Sequence, residues 1–138
     1  MKDKITIACN KSNLTKIRSF VMQALHSHDV RDIEAHKMVL AVDEICANLI
    51  IHSNQCNPQH QLEVLVDFKP ADKVTFTIKD KGVQFNLNSY TEPSMDEIIS
   101  SRRKGGVGLL LVKRIMDKIE FTNDKNYNIC KLTKKLSK

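Results

Sequence analysis

The sequence predicts an α+β domain, with helices packed on one face of a mixed, mostly antiparallel sheet. Three observations carry this. Two stretches, 62–68 and 74–78, alternate apolar and polar residues, the mark of strands buried on one face. Two long stretches ahead of them repeat apolar residues at helical spacing. Strand–helix–strand alternation is never sustained, which argues against a doubly wound parallel sheet. At 138 residues the chain is expected to form one domain, 1–138, with a sizeable core.

In order along the chain, residues 4–8 (Lys-Ile-Thr-Ile-Ala) read as a first strand. Ser12 is placed to cap a helix carrying Leu14, Ile17, Val21 and Leu25 and ending near His28. Asp29 or Asp32 caps a second helix, from about Ile33 to Ser53, with Met38, Val42, Ile45 and Leu49 on one face. Asn54–His60 has the composition of a loop. Leu62, Val64, Val66 and Phe68, a turn at Pro70–Lys73, then Val74, Phe76 and Ile78 predict a hairpin with one buried face. From Gly82 to Lys104 periodicity fails, apart from one short helical stretch at Ser94–Ser101. So long a connection in a small domain marks a lid or a disordered segment. A glycine-headed helix follows to about Asp117. Strands at Ile119–Thr122 and Tyr127–Lys134 close the chain around a turn at Asn123–Asn126.

Composition excludes several function classes. No apolar run approaches the roughly 18 residues of a membrane span, and Lys2, Asp3 and Lys4 leave too short an apolar stretch behind them for a signal peptide. Cysteines 9, 46, 56 and 130 show no C-x-x-C pair, so neither a zinc site nor a redox motif is indicated. They read as reduced thiols of a cytoplasmic protein. The net charge of +6 permits an acidic partner, but the basic residues are spread along the chain apart from Arg102-Arg103-Lys104 and the tail 131–138. With 5% aromatics, platforms for stacking bases are scarce, and direct nucleic-acid binding is not expected.

Three stretches have the residue types for chemistry. Gly105-Gly106-Val107-Gly108-Leu109 holds all but one of the four glycines and opens onto a helix. Uncovered N–H groups and the helix dipole favour a phosphate there, although such a cluster also serves as a turn or packing site. Glu44 and Asn48 are four apart on the second helix, and His52 extends their line. An acid and an amide so placed suit a base for a hydroxyl attacking a γ-phosphate and a ligand for hydrated Mg²⁺. The spacing alone equally describes an exposed polar edge. Asp80 continues the parity of Val74, Phe76 and Ile78 and so points inward, with Gly82 leaving room beside it. A buried carboxylate needs a donor, for which a purine amino group or the adjoining turn would serve. Lys104 and the two arginines before it can reach a terminal phosphate, or be solvated charge.

The order of these stretches resembles the Bergerat-fold (GHKL) ATPases, which include histidine kinases and DNA gyrase. An E-x-x-x-N helix precedes a D-x-G-x-x-F strand end, a lid at about 83–104, and G-G-x-G-L at a helix start. Within that group the chain most resembles the small anti-sigma factor serine kinases of the RsbW and SpoIIAB type, over nearly its whole length. The box Asp43-Glu44-Ile45-Cys46-Ala47-Asn48-Leu49-Ile50-Ile51-His52 and the pair Met116-Asp117 carry that closer likeness. Val83-Gln84 depart from the pattern, as do Asn86-Leu87.

The resemblance implies ATP as substrate with Mg²⁺. Glu44 would be the general base for a substrate serine and Asn48 the Mg²⁺ ligand. Asp80 would take the adenine amino group beside Gly82. Lys104, Gly105, Gly106, Val107, Gly108 and Leu109 would line the phosphates. It also implies an anti-anti-sigma (STAS-domain) protein as substrate, a sigma factor as second partner, and a homodimer. Two other readings remain: a nucleotide-gated binding regulator without turnover, and a detached histidine-kinase-like ATPase domain.

Overall fold

The computed structural model describes residues 2–54, 56–81, 104–124 and 127–136, and their side chains other than those of residues 52, 53, 104–108 and 124. The described elements are β1 (Lys2–Ala8), α1 (Leu14–Ser27), α2 (Asp32–Asn48), β2 (Gln61–Lys69), β3 (Lys73–Asp80), α3 (Lys104–Ile115), β4 (Lys118–Asp124) and β5 (Tyr127–Lys135). The strands form one antiparallel sheet in the order β1-β2-β3-β5-β4. The expected α+β architecture is therefore present. The predicted helix at Ser94–Ser101 and the lid at 83–103 lie outside the described residues.

The inner face is set by parity. Leu62, Val64 and Val66 of β2 stand opposite Asp80, Ile78 and Phe76 of β3, which stand opposite Asn128, Cys130 and Leu132 of β5. All of these are buried. Ile17, Val21 and Leu25 of α1, Met38, Val42 and Ile45 of α2, and Val112 of α3 close over them. Burial of side chains of this size contributes about 1.5–3 kcal/mol each, so the sheet and the helical layer hold one another in register.

The hairpin differs from expectation in one respect. β3 is the middle strand of the five, flanked by β2 and β5, and Thr75 and Thr77 on its outer face are buried as well. Its turn places both Ala71 and Asp72 in the left-handed region, and the Asp72 carbonyl accepts the Leu136 N–H at 2.7 Å. The outer face also gathers charge that looks scattered in the sequence. Lys2, Lys4, Lys69, Lys73, Lys79, Lys118, Lys131 and Lys135 share its parity, against Glu63, Asp67 and Glu120. Lys69 lies 2.8 Å from Asp67, and its hydrogen bond and charge hold that carboxyl below the usual range.

Helix ends were the least legible features. Ser12 does not cap α1, whose N-cap Asn13 makes no side-chain cap bond; the capping side chain, one turn earlier, is that of Asn10. It accepts from the Ser12 N–H at 3.0 Å and starts a short 3₁₀ turn, Lys11–Asn13. Neither aspartate caps α2, whose N-cap Arg31 makes no side-chain cap bond. Asp32 and Glu34 sit instead in its first turn, where their charge favours the dipole. Asp29 belongs to the end of α1. It is left-handed at φ 58°, with Val30 N–H bonded to Leu25 O and Asp29 N–H to His26 O, the paired bonds of a Schellman stop.

Candidate functional site

Helix α2 places its two polar candidates by the same periodicity that buries it. Met38, Val42 and Ile45 point into the core, and Glu44 and Asn48, one turn apart, stand half-buried beside that stripe. Partial burial raises the Glu44 carboxyl above its ordinary value, and the neighbouring Asp43 carboxylate adds to the rise. Asp43 is itself held by Arg18 of α1 at 3.0 Å. Glu44 is thus shifted toward neutrality by its surroundings, as suits a proton acceptor.

The α-helix stops at Asn48 and continues as a π-helical turn, Leu49–Ser53, closed by the Asn54 N–H on Leu49 O at 2.9 Å. The predicted helix end at Ser53 is correct for helical backbone in general. The α-helical spacing that would carry the Glu44–Asn48 line on to His52 ends at Asn48, and the His52 side chain lies outside the described residues.

Asp80 ends β3 on the inner face, 1% exposed, as its parity predicts. Its Oδ2 accepts the Asn54 amide Nδ2–H at 2.8 Å. The same amide nitrogen donates to Leu49 O at 2.8 Å, and Asn54 Oδ1 lies 3.1 Å from His60 Nδ1. Asn128, also buried, is the β5 partner of Asp80 in register. Burial, then the Asp80 and Cys56 charges, push the Cys9 thiol up to about 11, so it stays a neutral wall of this region.

α3 begins at Lys104, so Gly105, Gly106 and Gly108 lie inside its first turns rather than ahead of it. The N–H groups of a first turn have no acceptor within the helix, the feature on which the expected phosphate contact rests. Leu109 is half-buried and packs on the core. The side chains of Lys104 and Val107, and all of Gly82, lie outside the described residues. α2 packs along both α1 and α3. Among the described residues no three His, Cys, Asp or Glu side chains converge as a metal cage.

Sequence reasoning missed Asn54, His60 and Asn128. Asn128 was within reach, since it shares the inward parity of Cys130 and Leu132. Asn54 and His60 had only loop composition to mark them.

The model of the histidine kinase-like ATPase domain matches residues 7–134. The serine-protein kinase RsbW of Halalkalibacterium halodurans is 28% identical over 101 residues, 70% of this chain and 57% of that protein, so the chain spans little more than half of this curated relative. Two solved structures share the fold. The RsbU and RsbW domains of Rv1364c from Mycobacterium tuberculosis superpose with a TM-score of 0.73 at 14% identity, over 100% of this chain and 33% of that one. The SiaB–SiaC complex of Pseudomonas aeruginosa gives 0.68 at 12%, over 95% and 88%. With a family match that runs from β1 to β5, the protein belongs to the histidine kinase-like ATPase domain family.

Proposed function

We propose that this chain is an ATP-dependent protein serine kinase and anti-sigma factor, which phosphorylates an anti-anti-sigma (STAS-domain) protein and sequesters a sigma factor. The observation that carries the reading is Glu44, a half-buried carboxyl with a raised proton affinity one helical turn from Asn48. Glu44 takes the proton of the substrate serine as its Oγ bonds to the γ-phosphorus. The bond from that phosphorus to the β,γ-bridging oxygen breaks, and ADP leaves. Asn48, a neutral amide, would hold a Mg²⁺ brought with the nucleotide, which would supply positive charge to offset that of the phosphates. Asp80 accepts from the adenine amino group beside Gly82. The first turn of α3, from Lys104 through Gly105, Gly106, Val107 and Gly108 to Leu109, meets the phosphates. A cytoplasmic homodimer is part of the same reading.

Incubation with Mg-ATP and candidate STAS proteins should give a phosphoserine that is stable to acid. ATP binding without transfer to any of them would favour the regulator without turnover, and an acid-labile product the histidine-directed domain.

The rate should also report the Glu44 environment. The base works deprotonated, so the acid limb of the pH profile follows its pKa. Removing the Asp43 charge takes away a contribution that raises that pKa. The acid limb of Asp43→Asn is therefore expected to move to lower pH, read from transfer rates across the acidic range.

A further inference from the structure

Resting on that reading, we infer that Asn54 is a positioning residue for adenine recognition, which ties the Asp80 carboxylate to the end of the Glu44–Asn48 helix. The network allows one arrangement. Asn54 is 2% exposed. Its Nδ2 faces the Leu49 carbonyl and the Asp80 carboxylate, both at 2.8 Å. Both are acceptors, so the amide nitrogen must point at them and Oδ1 must face His60. An oxygen there requires a proton on His60 Nδ1, 3.1 Å away. The outer end is held too, since the N–H of Cys9, the residue after β1, bonds to His60 O at 2.9 Å.

The consequence is geometric. Leu49 follows Asn48 directly, and its carbonyl receives both the Asn54 N–H and the Asn54 amide. One side chain therefore connects the backbone next to Asn48, the residue proposed for the metal, with Asp80, the residue proposed for adenine. Asn54 turns Asp80 Oδ2 toward itself and so fixes how the carboxylate is presented to a purine. A hydrogen bond to a charged acceptor is worth enough that its loss should cost ATP about tenfold in affinity.

The test compares ATP with purine riboside triphosphate, which lacks the 6-amino group, by titration calorimetry. In Asn54→Ala, ATP affinity should fall about tenfold while the analogue changes little, because it never used the carboxylate. A merely structural role would weaken both equally, and that result overturns the inference, as does no change in either. Wild-type protein with no preference for ATP over the analogue would overturn the functional reading and the inference together. Should the variant not fold, ¹⁵N NMR of wild-type His60 decides at a pH where the ring is neutral. The Nδ1–H tautomer is expected, and the Nε2–H tautomer overturns the network.

Discussion

Glu44→Gln is expected to bind ATP within a few-fold of the wild type and to lose phosphoryl transfer by about 10²–10⁴-fold. The amide keeps the size and position of the carboxyl but cannot accept the serine proton. The two quantities separate because, in the proposed reading, Glu44 would touch the attacking hydroxyl, whereas the nucleotide would be held by Asp80, Asn48 and the start of α3. Titration calorimetry reads the first and phosphoserine formation the second; retained transfer would remove Glu44 from the chemistry. Stability supplies an independent sign. Burial and Asp43 raise the folded-state pKa of Glu44, so the stability tied to its protonation is complete below the ordinary carboxylate range and is lost as pH rises through the raised value. At neutral pH the charged form is the penalised one. Glu44→Gln should therefore melt slightly higher than the wild type at neutral pH, and the gap should close on acidification.

That opposition of activity and stability has a counterpart in what the sequence disclosed. Asp80 was legible because strand parity is rigid. Once Val74, Phe76 and Ile78 are assigned inward, a residue two further on has no other face to take. Glu44 and Asn48 were legible for the same reason on a helix. Asn54 and His60 were not, because their partners are brought to them by the π-helical turn and by the bond from Cys9, just past β1, to His60, neither of which leaves a period in the sequence. The caps failed for a different reason. Asn10 and Ser12 both have oxygens suited to a helix start, and Asp29 and Asp32 likewise, so composition permitted the choice but did not make it. The charge reading counted along the chain. Lysines on all five described strands meet on one outer face only after the strands pair.

Asp80→Asn is expected to weaken ATP by about 100-fold and to narrow or reverse the preference over inosine triphosphate, which presents a carbonyl where adenine has its amino group. The wild-type carboxylate offers acceptors only, so it can receive the Asn54 amide at Oδ2 and a purine amino group as well. An asparagine there has one acceptor and one donor. With its oxygen toward Asn54, its own NH₂ faces the adenine amino group, donor against donor. With its oxygen toward the purine, its NH₂ faces Asn54 Nδ2, and the clash moves one step along the network. No rotation satisfies both, and at a site 1% exposed no solvent relieves the mismatch. Inosine removes the conflict, since its carbonyl accepts from the first of these orientations. Competition binding of the two triphosphates reads the ratio directly. Equal losses for ATP and inosine triphosphate would mean that Asp80 supports the fold of this corner without meeting the base.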